Sequence, residues 1–203
     1  MNAQTRRLKL AGPAGDIECA IDTPAGMARG LALVCHPHPL HGGTMDNKVV
    51  QTLARAFVQR GYEAVRFNFR GVGASAGAWD EGRGETEDAR AVLAACRQPG
   101  QALLLAGFSF GAYVAARVAA GLPAEQAAER LVLVGPAASR FDMPAVPAGT
   151  LVIHGEADDV VPLSDVLAWA RPLSQPVTVV PGAGHFFHGQ LPLLKSLVTV
   201  AAP

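Results

Sequence analysis

A serine between glycines, two adjacent aspartates behind an apolar run and a histidine in a glycine-rich turn stand far apart in this chain of 203 residues. Together these residue types can cleave an acyl bond. A serine hydroxyl is a poor nucleophile at neutral pH and becomes a good one when an imidazole takes its proton and a carboxylate holds the imidazole. Ser109 sits in Gly107-Phe108-Ser109-Phe110-Gly111, after the apolar run 102–106 and before 112–119. That order reads as a buried strand, a sharp turn and a helix, the setting of a nucleophile elbow. The turn strains the serine backbone and crowds its neighbours, which accounts for glycine on both sides.

The apolar run 151–154 ends in Gly155-Glu156-Ala157-Asp158-Asp159-Val160-Val161-Pro162, and the run 177–180 ends in Pro181-Gly182-Ala183-Gly184-His185-Phe186-Phe187. Ser109, an aspartate and His185 thus follow one another along the chain, each just beyond a separate strand. Taken singly, each has a plainer reading: a turn serine, a solvated acid or helix cap, a packing histidine. Their conjunction favours the chemical one. Phe186 and Phe187 are equally suited to lining a pocket and to anchoring the last helix.

Two other clusters could carry different chemistry. His36, His38 and His41 are dense enough to suggest zinc, but no Cys, Asp or Glu closes the set and Pro37 and Pro39 stiffen it, so no metal is expected. Gly71-Val72-Gly73 lacks the Gly-x-Gly-x-x-Gly spacing and the later acidic partner of a nucleotide site, so it reads as a structural turn and no cofactor is implied.

The elements that must position these residues follow from the apolar pattern. Residues 6–10 and 17–21 alternate and flank a Gly-Pro turn, as in an edge hairpin. The continuous apolar run 31–35 suits a central strand covered on both faces. Asp46 is the expected cap of a helix over 47–60 that Gly61 stops, followed by a strand over 62–69 and a helix over 85–97. Runs at 131–134, 151–154 and 177–180 add strands, and 163–170 and 191–200 add helices. Strands alternating with helices predict a three-layer α/β/α sandwich on a mainly parallel sheet, with active residues on loops at its carboxyl edge.

Composition sets the bounds. The length suits a single domain over 1–203, and 50% hydrophobic residues can fill a substantial core. Seventeen basic residues balance seventeen acidic ones, which argues against nucleic acid and anionic membrane surfaces as partners. Cys19, Cys35 and Cys96 are odd in number and widely spaced, as reduced core residues would be. Arg6-Arg7 is not followed by the apolar segment of an export signal, and the expectation is a cytoplasmic protein.

Through His36-Pro37-His38-Pro39, Gly107-Phe108-Ser109-Phe110-Gly111 and Gly182-Ala183-Gly184-His185-Phe186-Phe187, the chain resembles the α/β-hydrolase superfamily, and within it the small lidless bacterial serine hydrolases. The resemblance spans about 17–194. It implies a sheet of eight strands or a close variant, Ser109 as nucleophile, His185 as base and, through Gly155-x-x-Asp158-x-x-Val161-Pro162, Asp158 rather than Asp159 as the acid. It also implies an oxyanion hole made by the backbone N–H of Phe110 and one N–H after the strand 31–35. Proline has no N–H, which leaves His38, with Leu40 second. The stretch 135–149, where many relatives insert a lid, shows no amphipathic pattern, so an open site for short acyl groups is expected. The implied partner is a small ester or thioester as substrate, and a monomer or homodimer is expected. Peptidase activity would use the same machinery, and a binding or regulatory protein keeping the fold without turnover is the competing class.

Overall fold

Eight strands and five helices account for most of the computed structural model, which describes residues 5–203; residues 1–4 of the expected domain span lie outside the described residues. The strands are β1 (Arg6–Gly12), β2 (Gly15–Asp22), β3 (Gly30–Cys35), β4 (Tyr62–Phe67), β5 (Ala102–Phe108), β6 (Arg130–Val134), β7 (Leu151–Gly155) and β8 (Val177–Val180). They form one sheet in the order β1-β2-β4-β3-β5-β6-β7-β8. The β1–β2 hairpin lies at one edge, β2 joins β4 antiparallel, and every later pairing is parallel.

The continuous apolar strands are covered on both faces, as parallel strands must be. Leu31, Leu33 and Cys35 of β3 point into one core with Leu103 and Leu105 of β5, while Ala32, Val34, Leu104, Ala106 and Phe108 point into the other. The first core is closed by α2 (Arg83–Cys96), α3 (Phe110–Ala120) and α4 (Leu163–Ala170), the second by α1 (Lys48–Gln59) and α5 (Leu191–Ala201). Each fully buried leucine here contributes about 1.5–3 kcal/mol. Because β3 has β4 on one side and β5 on the other, the chain order reverses beside β3. The loops after β3 and β5 flank that crevice, where ligands of open α/β sheets bind.

Local details depart from expectation. The cap of α1 is Asn47, whose Oδ1 accepts from the N–H groups of Val49 and Val50 at 2.9 and 3.5 Å. Asp46 instead meets Arg7 at 2.6 Å and the buried Arg66 at 3.1 Å, since a nearly dry guanidinium needs a carboxylate more than a helix end does. The strand expected over 62–69 ends at Phe67: Asn68 N–H turns to Glu18 O and Phe69 N–H to the ring of His36. Cys19 and Cys35 are buried, whereas Cys96 is only half-buried at the end of α2. The stretch 135–149 forms turns, bends and irregular chain without a helix.

Candidate active site

Ser109 takes the turn between β5 and α3 with φ 56° and ψ −120°, a conformation L-residues rarely adopt. Its N–H donates to Val134 O at 2.9 Å, which ties the strained residue to the neighbouring strand β6. The two flanking glycines are required by close approach. A Cβ on Gly107 would meet the Gly111 backbone and lie 2.5 Å from Ala112 N, and one on Gly111 would meet Cys35 O and lie 2.5 Å from His36 O. The helix therefore starts directly against both its own strand and the loop after β3. Phe110, first residue of α3, has a backbone N–H with no intrahelical acceptor and stands at the positive end of the helix dipole.

Asp158 and His185 reach Ser109 because the loops after β7 and β8 interlock. Glu156 N–H donates to Val180 O at 3.0 Å and Ala157 N–H to Ala183 O at 2.9 Å, and a Cβ on Gly155 would collide with Ala183 O. His185 Nδ1 then lies 2.7 Å from Asp158 Oδ2, and Nε2 lies 3.0 Å from Ser109 Oγ. A carboxylate only accepts, so the ring proton sits on Nδ1 and the Nε2 lone pair faces the hydroxyl. Asp158 Oδ1 accepts from Val160 and Val161 N–H at 3.0 and 2.8 Å. Burial alone would raise the Asp158 pKa, but the hydrogen bonds from His185 and these amides outweigh it and hold the carboxyl below its ordinary value. All three side chains are buried, Ser109 at 8%, Asp158 at 7% and His185 at 3% exposed, so little water screens the line they form. Phe108 and Phe186 flank the His185 ring at 4.9 and 5.1 Å between centroids.

The loop after β3 engages one of the two candidate donors, His38 and Leu40, and leaves the other free. Residues 39–41 make one 3₁₀ turn in which Leu40 N–H donates to His38 Nδ1 at 3.2 Å, so it is already engaged. The backbone N–H of His38 meets no acceptor among the described residues. The ring of His38 packs on His41, Trp79 and Phe110 at 4.4, 4.4 and 5.3 Å, forming with Phe141 an aromatic wall beside the elbow. Burial, reinforced by His41 and Arg140, lowers its pKa. His36 is occupied at both ring nitrogens, by Pro37 O and by Phe69 N–H, which leaves it no lone pair for a metal.

Of the paired residues, Asp158 rather than the exposed Asp159 meets His185, and Phe187 is the buried anchor while Phe186 stays 43% exposed beside the ring. Sequence reasoning missed His154, the buried residue near the end of β7. Its Nε2 lies 2.9 Å from Val161 O and 3.5 Å from Asp158 Oδ2, and its Nδ1 is buried without a partner. Burial keeps it neutral by lowering its pKa. It also missed Trp79 and Phe141, which loops bring to the site. A histidine ending an apolar strand was the one visible signal for His154.

Among the described residues no helix is long and apolar enough to cross a membrane. Residues 38–148 match the family model described as serine aminopeptidase, S33, a span that includes Ser109 and ends before Asp158 and His185. An α/β serine hydrolase without a lid from Xanthomonas campestris is 42% identical, with a TM-score of 0.88, over 99% of this chain and 94% of that one. An α/β serine hydrolase homologue from Coxiella burnetii is 43% identical, with a TM-score of 0.86, over 98% and 97%. An uncharacterised protein of Rickettsia prowazekii is 34% identical over 192 residues, 87% of this chain and 79% of that protein. With the matched model, these relatives and the eight-stranded lidless sheet in agreement, the chain belongs to the α/β-hydrolase superfamily and to its serine hydrolases.

Proposed function

We propose that the protein hydrolyses carboxylic esters or thioesters of small substrates through an acyl-enzyme intermediate. The observation that carries this reading is the unbroken hydrogen-bonded line from Asp158 Oδ2 through His185 to Ser109 Oγ, held at the head of α3. Ser109 Oγ attacks the carbonyl carbon while its proton passes to His185 Nε2, and Asp158 stabilises the resulting imidazolium. The N–H groups of Phe110 and His38 hold the oxyanion; one such donor is typically worth about 3–4 kcal/mol. His185 then protonates the leaving alcohol or thiol, and the C–O or C–S bond breaks. In the second half, His185 takes a proton from water, the hydroxide equivalent attacks the acyl-enzyme, and Ser109 recovers its proton as the acid leaves. No step calls for a metal or cofactor. Three free cysteines, two of them buried, suit a reducing compartment such as the cytoplasm.

Labelling with a fluorophosphonate probe and turnover of p-nitrophenyl acetate test the reading. The wild-type protein should form an adduct at Ser109, and Ser109→Ala should lose the adduct and about 10⁴–10⁶ in turnover. Folded wild-type protein that neither labels nor turns over any of a panel of esters, thioesters and amides would instead favour a binding or regulatory module.

A further inference from the structure

We infer that His36 is a positioning residue for the oxyanion hole: its ring, by holding the Pro37 carbonyl, sets the direction of the His38 N–H. The inference rests on the hydrolytic reading above. The contacts fix the state of the ring. Phe69 N–H can only donate, and it points at His36 Nε2 at 3.0 Å. Nε2 therefore accepts, the proton resides on Nδ1, and Nδ1 donates to Pro37 O at 2.6 Å. The ring is fully buried and packs on Phe69 at 4.4 Å. Burial pushes its pKa down to about 3, so this tautomer persists through any ordinary assay.

Pro37 O and the His38 N–H belong to one peptide unit. No cis peptide occurs among the described residues, and in a trans peptide the C=O and N–H lie in a single plane and point in opposite directions. Drawing the oxygen onto a buried ring thus turns the N–H away from that ring. The next peptide is pinned as well, because His38 O accepts from Gly43 and His41 N–H at 3.0 and 3.1 Å. Leu40 N–H is taken by His38 Nδ1. With Pro37 and Pro39 lacking donors, the loop 37–41 offers a ligand the His38 N–H in a direction that three hydrogen bonds and one buried ring define. A donor fixed before the reaction is what an oxyanion hole needs, since nothing then has to reorganise as charge develops.

Two variants of similar size separate the two hydrogen bonds of the ring. His36→Asn keeps an N–H near the Nδ1 position for Pro37 O and loses the acceptor for Phe69. His36→Gln keeps an acceptor near the Nε2 position and loses the donor to Pro37 O. Both leave one buried bond unmade, so thermal midpoints should fall by similar amounts. For p-nitrophenyl acetate, His36→Gln should lose roughly 10- to 1,000-fold in kcat with KM changed less than about threefold, up to the loss of a whole oxyanion donor. His36→Asn should retain most of the kcat. The reverse order, or equal kcat in both folded variants, overturns the inference. A separate readout does not depend on activity: ¹⁵N NMR of the wild-type ring at pH 7 should show Nδ1 protonated. Protonated Nε2 would end the inference even if the enzyme is active, whereas protonated Nδ1 in a protein without turnover would count against the hydrolytic reading alone.

Discussion

Replacing Asp158 with Asn changes one atom, and the geometry dictates how the new amide must sit. Oδ1 receives two backbone N–H groups, from Val161 at 2.8 Å and Val160 at 3.0 Å. The amide oxygen has to take that place, since the flipped amide would set NH₂ against two donors and forfeit two hydrogen bonds, one buried and one part-buried, at about 1–3 kcal/mol each. The NH₂ group then replaces Oδ2 and donates to His185 Nδ1, 2.7 Å away. The ring proton is forced onto Nε2, which would donate to Ser109 Oγ and could no longer accept its proton. A base held in the wrong tautomer loses about 10⁴-fold in kcat, and the flip that would rescue it costs about 2–6 kcal/mol, the same range. Steady-state hydrolysis of p-nitrophenyl acetate and the rate of fluorophosphonate labelling should fall in parallel, with KM nearly unchanged and the circular dichroism spectrum intact. A folded Asp158→Asn variant within tenfold of wild-type kcat would refute the orienting role and the tautomer argument together.

Acid should destabilise the fold through its neutral histidines. His36, lowered by burial to about 3, and His154, also lowered by burial, bind no proton in the folded state at pH values where the unfolded chain protonates both. Their contribution is complete above pH about 6.5 and is lost as pH falls toward the folded values, by up to about 1.4 kcal/mol per pH unit for each ring. Between pH 7.5 and 5, urea unfolding of the wild type should therefore lose about 2 kcal/mol more than that of His36→Asn, and identical losses would refute the assignment. Because residues 135–149 contain no helix that could cover the site, kcat/KM for p-nitrophenyl acetate or butyrate should exceed that for the palmitate by at least about tenfold. A preference for the long chain would contradict an open site.

How much of this could be read from the chain alone depends on whether a residue type or an angle carried the information. The sheet was legible because 31–35 and 102–106 are apolar on every position and of strand length, as suits a strand covered on both faces. A line of Ser109, an aspartate and His185 was legible because each type is needed for its own reactivity and each follows a recognisable strand, whereas the preference for Asp158 over its neighbour Asp159 came only from the family pattern. The cap of α1 was not: Asp46 and Asn47 are adjacent and equally able to cap, and Arg66, brought in from β4, decides between them. Trp79 and Phe141, 62 positions apart, meet the same histidine only after two loops have folded.

The proposed second oxyanion donor shows the same limit in its sharpest form. Counting prolines leaves His38 and Leu40, and nothing in composition separates them. What separates them is that the His38 ring turns back and takes the Leu40 N–H for itself. The residue that would aim the remaining donor, His36, acts through a carbonyl on its neighbour and an amide 33 positions away, so its own type only makes that role available. The same holds for His154, whose Nε2 proton reaches Val161 O only because the loop after β7 folds back on the strand. Groups that touch the reacting atoms are restricted to a few chemistries and announce themselves. Groups that hold them in place need only a donor or acceptor in the right direction, a requirement that many residue types meet and that only the folded backbone makes specific.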